Sequence, residues 1–143
     1  MRSCFRKGGR RGTAMSRAYV LDSSAVLALI EEEDGADRVE EILRGGGAIL
    51  PFVVLLEVYY ITRREKGEVE AKRRHALLQQ LPAKVLWKVD EPLLFAAGRL
   101  KAERRLSLAD ALIAAYALQE SAVLVHKDPE YKPLAGELEL EAL

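Results

Sequence analysis

Ala18-Tyr-Val-Leu21-Asp22-Ser-Ser-Ala25-Val-Leu-Ala-Leu-Ile-Glu31 is the stretch on which the fold turns. Ala18 to Leu21 is a short apolar run that reads as a buried strand. Asp22, Ser23 and Ser24 follow, and all three are residue types that cap a helix N-terminus well. Ala25 to Glu31 then reads as the helix they open. A buried strand feeding directly into a helix is the first half of a βαβ unit, so a parallel sheet covered on its faces is expected.

Working outward, the alternation repeats. Gly35 to Arg44 reads as a second helix with Val39, Ile42 and Leu43 on one face, and Gly45-Gly46-Gly47 stops it. Ala48-Ile49-Leu50 is a second strand, and Pro51 suits the start of the next helix, Val53 to Arg64, which ends near Gly67. Val69 to Leu81 is a further helix closed by Pro82, and Val85 to Val89 a third strand. Asp90 caps a helix from Glu91-Pro92 to about Arg105. Ser107 opens another that runs to Glu120, Ala122 to Val125 is a fourth strand, and Leu138 to Leu140 a short fifth. The pattern is α/β, with helices on both sides of a mainly parallel sheet. No internal repeat or second domain interrupts it, and 143 residues suit one domain that needs no disulfide.

Charge and cysteine usage narrow the class. The 22 basic and 22 acidic residues balance, but unevenly. Arg2, Arg6, Lys7, Arg10 and Arg11 fall within residues 1–14, which carry no acid; removing those five leaves 17 basic residues against 22 acids. Residues 1–14 read as a basic extension upstream of a natural start at Met15, and residues 15–143 as the domain. The extension lacks the apolar run of a signal peptide, and no run in the chain is long enough to span a membrane. A single cysteine, Cys4, excludes an internal disulfide and fits a reducing cytoplasm. Asn is absent and Gln scarce, a composition shared by thermophile proteins and by GC-rich genomes. A net-negative domain that met RNA would do so locally, through a basic rim around an acidic centre.

Four carboxylates stand out. Glu57, in Val53-Val-Leu-Leu-Glu57-Val-Tyr-Tyr-Ile61, has Val53, Val54, Tyr60 and Ile61 as its helical neighbours. An ionised acid there costs several kcal/mol unless something pairs with it; the bland alternative is a stripe-edge Glu that reaches water or an arginine. Asp110, in Ser107-Leu-Ala-Asp110, matches a capping box, yet its face continues through the apolar Ile113, Ala114 and Ala117. Asp22 is equally at home as an N-cap. Asp128, in His126-Lys-Asp-Pro-Glu-Tyr131, reads by default as a turn residue, with Glu130 beside it and solvated. Their order raises their weight. A doubly wound sheet could bring all four to the same edge. Four grouped carboxylates repel, and a hard divalent cation relieves that repulsion. All-oxygen donors without clustered Cys or His suit Mg²⁺ or Mn²⁺ rather than zinc.

Tyr19-Val-Leu-Asp22-Ser-Ser-Ala25, Leu55-Leu-Glu57-Val, Leu106-Ser-Leu-Ala-Asp110-Ala-Leu-Ile-Ala114 and Val123-Leu-Val-His-Lys-Asp128 together resemble the PIN-domain family, and within it the VapC toxin branch, over residues 15–143. The resemblance implies a three-layer α/β/α sandwich with a mainly parallel sheet. It implies a Mg²⁺- or Mn²⁺-dependent endoribonuclease acting on RNA as the toxin of a type II toxin–antitoxin pair. The family's four acids map to Asp22, Glu57, Asp110 and Asp128, as catalytic and metal-holding residues, and its hydroxyl residue near the first acid to Ser23 or Ser24. The chain departs from the family in carrying His126 where Thr or Ser is common. His126 is a possible acid or base there, although a lone His is more often a packing residue. Lys127, Arg104 and Arg105 flank the motif acids and are candidates for RNA contacts; Arg63, Arg64, Lys72, Arg73 and Arg74 form a second basic group. The resemblance also implies a homodimer, for which the helix around Tyr59 offers apolar area. It implies a small VapB-like antitoxin, expected to lay an apolar helix in a groove lined by Val26, Leu29, Val39 and Leu43.

Two rivals remain at this point. A receiver-like phosphoacceptor domain also places strand-end acids around Mg²⁺, but it calls for a strand-end Asp in mid-chain, where this sequence has the helix-borne Glu57. A PIN-like binding module without catalysis is the other, against which stands the retention of all four acids.

Overall fold

The computed structural model describes residues 17–143; the basic extension, Cys4 and the proposed start at Met15 lie outside the described residues. The order of elements is β1 (Tyr19–Leu21), α1 (Ser23–Ile30), α2 (Ala36–Gly45), β2 (Ala48–Pro51), α3 (Phe52–Lys66), α4 (Glu68–Gln79), β3 (Lys84–Leu86), α5 (Glu91–Glu103), α6 (Leu108–Gln119), β4 (Val123–His126), a 3₁₀ helix (Pro129–Leu134) and β5 (Leu140–Ala142). The five strands form one sheet in the order β3-β2-β1-β4-β5, and every pairing is parallel. Parallel strands need crossovers, and these are almost always right-handed. Because β1 to β3 step one way and β4 then returns to the far side of β1, α1–α4 cover one face of the sheet and α5–α6 the other. The result is the three-layer sandwich expected from the sequence.

Local chemistry sets the element ends. Asp22 caps α1 by accepting from the Ala25 amide at 2.9 Å. Asp90 and Ser107 cap α5 and α6 in the same way, on Leu93 and Asp110. Gly46 closes α2 in the left-handed conformation at φ 84°. Gly47 is required for a different reason: a Cβ there would fall 1.9 Å from the Arg17 carbonyl oxygen as the chain enters β1. The central strands are buried apart from Tyr19 at the start of β1, with Val20, Leu21, Leu50, Leu124 and Val125 each at 0 % exposure.

Several expectations are corrected by the packing. The third strand stops at Leu86, its last partner being Pro51, so Trp87 and Val89 lie beyond it and are exposed. The fifth strand is Leu140–Ala142, two residues later than expected, because Leu138 turns into the core ahead of the pairing with β4. The Asp128-Pro129 segment is not a simple turn but the entry to a 3₁₀ helix. The groove expected between the first two helices is not lined by the residues named for it: Val26, Leu29, Val39 and Leu43 are all within 2 % of complete burial and belong to the core. Their apolar stripe is spent where α1 and α2 meet each other and the sheet. Among the described residues no helix is long and apolar enough to cross a membrane.

Candidate active site

The strand order reverses at β1, which has β2 on one side and β4 on the other. Ligands of open parallel sheets settle beyond the carboxyl ends of the strands at such a reversal. Asp22 follows β1 directly, and its backbone amide donates to the Val125 carbonyl of β4 at 3.1 Å, which ties the two strand ends together. Ser24 strengthens the tie. Its hydroxyl donates to Asp22 Oδ1 at 2.7 Å and accepts the Lys127 amide at 2.9 Å, so one side chain fixes both the first acid and the loop bearing the fourth.

Glu57 reaches the same place from the second turn of α3. Ser23 Oγ donates to its Oε1 at 2.5 Å. The arginine partner that would make Glu57 a structural residue is not what the fold supplies; the partner is a neutral hydroxyl. Asp110 comes from the first turn of α6, where its amide is satisfied by Ser107 Oγ at 3.1 Å. Its carboxylate does not serve the cap alone, since Oδ1 accepts from the Tyr131 hydroxyl at 3.0 Å. Asp128 is the exposed N-cap residue of the 3₁₀ helix.

Asp22 and Glu57 feel the charges of the other acids. Asp22 is 4 % exposed, and its pKa is raised to about 7. Burial is the main cause, and the charges of Asp128 and Asp110 add to it against the hydrogen bonds from Ala25 and Ser24. Glu57 is raised by burial and by Asp110, against the Ser23 hydrogen bond. The buried Tyr131 phenol is pushed far up by burial first, then by the charges of Asp22 and Asp110 and its hydrogen bond to Asp110, with Glu57 adding to them. Glu130, read from the sequence as merely solvated, is also raised, by partial burial and by Asp128 and Asp110. The groups that act most on Asp22 and Glu57 include no lysine or arginine.

The donor set fits a hard divalent cation. It is all carboxylate, burial works against ionisation of Asp22 and Glu57, and the present partners are hydroxyls and backbone amides. Among the described residues, however, no three acid, His or Cys side chains are drawn together into a ready-made cage.

The flanking candidates divide. His126 is buried, packs edge-on against the Tyr131 ring at 5.3 Å, and has Nδ1 2.5 Å from the Asp128 carbonyl oxygen. A carbonyl only accepts, so Nδ1 carries the proton; the residue packs and braces a loop. Lys127 pairs with Glu33 at 3.5 Å and Arg104 with Glu137 at 3.3 Å, both partly exposed pairs of the kind a phosphate can displace at little cost. Arg105 is exposed and takes part in no ion pair among the described residues. In the second basic group, Arg74 departs from expectation. It is 7 % exposed and bonded to Glu31, Glu70 and Thr62, so it is internal scaffolding rather than a solvated face. Sequence reading missed Tyr131, because nothing in a local pattern announces that a tyrosine will meet an acid 21 positions earlier.

The family model of the PIN domain matches residues 19–137, most of the chain and the whole of the sheet up to β4. The chain belongs to the PIN-domain family. Solved structures agree with that fold. VapBC2 from Rickettsia felis, bound to a DNA fragment from its promoter, aligns with a TM-score of 0.72 at 20% identity, covering 87% of this PIN-domain chain and 98% of that one. VapBC-1 from nontypeable Haemophilus influenzae aligns at 0.68 and 22% identity, covering 87% and 97%. VapC20 of Mycobacterium tuberculosis, a sarcin-ricin-loop-cleaving toxin, aligns at 0.65 and 18% identity, covering 85% and 96%. At these identities the likeness is one of fold. No curated protein sequence matches the chain. The strand order also removes the receiver-like rival, whose sheet runs 2-1-3-4-5.

Proposed function

We propose that this PIN domain is a VapC-like endoribonuclease that depends on Mg²⁺ or Mn²⁺ and serves as the toxin of a type II toxin–antitoxin pair. The observation that carries the reading is Asp22, buried at the reversal of strand order with hydroxyl and amide partners instead of a basic side chain, and influenced by the charges of Asp110 and Asp128, while Glu57 is influenced by Asp110. Divalent metals are the usual cofactors of PIN-domain nucleases. Asp22, Glu57 and Asp110 would hold the ion directly or through water, and Asp128 would complete the set. When bound, the ion supplies Lewis-acid stabilisation of phosphoryl charge and a more acidic water. The chain's own residues do the rest. Ser24 holds Asp22 in line with the Lys127 loop, and Ser23 holds Glu57 toward the crevice. Lys127, Arg105 and Arg104 flank the motif acids in sequence and are the candidate groups to meet RNA phosphates, which would make binding fall with salt. Hydrolysis, as opposed to attack by the ribose 2′-hydroxyl, leaves 5′-phosphate and 3′-hydroxyl ends.

The test is cleavage of an RNA substrate by the purified chain with Mn²⁺ and with EDTA. Cleavage should require the metal, and Asp22→Asn, Glu57→Gln and Asp110→Asn should each lower it by more than about 100-fold with the fold intact, since even outer-sphere partners are worth 10–100-fold. Full activity in any two of the three variants would remove these residues from the site, and no metal response at all would leave the inactive binding module.

Two partners belong to the same reading. The apolar face of α3 supports a homodimer: Phe52, Leu55, Leu56, Tyr59 and Trp87 line a groove of about 460 Å³, and Leu56 and Trp87 are 54% and 56% exposed. The second partner is a small VapB-like antitoxin, and the R. felis and H. influenzae relatives are VapBC proteins. The buried Val26, Leu29, Val39 and Leu43 cannot form its seat. Light scattering on protein purified from its host should give the mass of a complex larger than two chains. A monomer of this chain alone would sink both partner assignments.

A further inference from the structure

Asp110 has a fixed backbone and a carboxylate that needs fixing. Its amide is bound to Ser107 in the first turn of α6, but the carboxyl group turns about its own bond in a broad, two-fold well. The group that meets it is Tyr131, whose hydroxyl donates to Oδ1 at 3.0 Å. Tyr131 is itself immobile. It is 0 % exposed, and its ring stands edge-on to His126 at 5.3 Å and 65°, while His126 is held to the Asp128 carbonyl. Asp128 and Tyr131 lie one 3₁₀ turn apart, so a single short element carries the fourth acid and the donor to the third. A phenylalanine would fill the same space, and burying a hydroxyl costs free energy unless it is bonded. The hydroxyl therefore has a use that packing does not explain.

We propose that Tyr131 is a positioning residue: its hydroxyl pins Asp110 through Oδ1 and so fixes the orientation of a carboxylate that would help to hold the cation, coupling the third acid to the helix that carries the fourth. Tyr131 is too deeply buried to touch RNA, so it acts only through Asp110. This inference rests on the metal-site reading given above. The experiment is Mn²⁺ titration of the full chain by calorimetry, for wild type, Tyr131→Phe, Asp110→Asn and the double variant. Melting temperatures in EDTA check that the ring's packing survives. Tyr131→Phe should weaken Mn²⁺ binding by about 10–100-fold, the range for outer-sphere partners. In the Asp110→Asn background it should weaken binding no further, because the carboxylate it orients is gone. Additive losses would assign Tyr131 a packing role and overturn the proposal, as would unchanged affinity in Tyr131→Phe beside a wild type that binds Mn²⁺ and cleaves RNA. A wild type that binds no Mn²⁺ would overturn the nuclease reading and this inference with it.

Discussion

Two regions of this small domain bury charge, and they treat it in opposite ways. On the α3–α4 side, Arg74 is 7 % exposed but has Glu31 at 3.3 Å, Glu70 at 3.2 Å and Thr62 at 3.4 Å around its guanidinium. The acid there is made more acidic: Glu70 is lowered to about 2, chiefly by its hydrogen bonds to Arg73, with Arg74 assisting. At the carboxyl edge of the sheet, Asp22 is 4 % exposed and raised to about 7, with other acids rather than bases for company. The fold evidently can compensate a buried charge, and at the sheet edge it does not. That contrast, a missing counter-charge in a protein that supplies them elsewhere, is what the proposed cation site rests on.

The strongest way to break this contrast is to remove the central charge of each region in metal-free protein. Arg74→Met keeps the packed stem but removes the cation that Glu31 and Thr62 share and one of the two arginines on Glu70, and should cost about 1–3 kcal/mol in denaturant unfolding. Asp22→Asn keeps a good N-cap and removes repulsion, so it should be neutral or stabilising. Equal losses from the two variants would mean that Asp22 is structurally compensated after all.

A smaller effect sharpens the contrast. Asp22 and Glu57 are raised in the folded chain relative to their ordinary values. Their contribution to stability is therefore fully present below the unfolded carboxylate pKa and is lost as pH rises through the folded value, near 7 for Asp22. Glu70, Glu137 and Glu141 are lowered, so their contribution is lost only on acidification, in a different window. Between about pH 5 and about pH 8 the melting temperature without metal should fall by roughly a few degrees. Millimolar Mn²⁺ should restore it at the upper end, because only the folded chain presents the acids together. Asp22→Asn should flatten the pH dependence. A profile that rises with pH in wild type, or is unchanged by Asp22→Asn, would contradict the assignment.

The residues that carry the site were unevenly legible. Asp22 and Asp110 stand at helix starts that their neighbours announce, and Glu57 betrays itself by sitting among valines and tyrosines. A common sheet edge for them was an expectation of the doubly wound pattern; the hydrogen-bond partners that hold Asp22, Glu57 and Asp110 were not legible, because they depend on β4 returning to the far side of β1 and on how the helices pack. Glu130 and Tyr131 gave no signal. A Pro-containing segment after a strand looks like a turn whether or not it winds into a 3₁₀ helix and carries a phenol to Asp110. Arg74 looked like any other basic residue on a charged helix, since only the neighbouring elements show that Thr62 and Glu31 close over it.

By itself the sequence determined what is local: which segments are strands and helices, where caps and glycines end them, and which acids lie in unsuitable company. Those follow from backbone propensity, capping chemistry and periodicity, which act within a few residues. The tertiary structure decided what is shared between distant segments. It set the order β3-β2-β1-β4-β5, buried the apolar stripes of α1 and α2 against each other, and let Ser23 reach Glu57 and Tyr131 reach Asp110. Periodicity identifies a face that must be covered but not what covers it. A hydrogen bond across 21 or 34 positions exists only once the crossovers have laid the strands side by side.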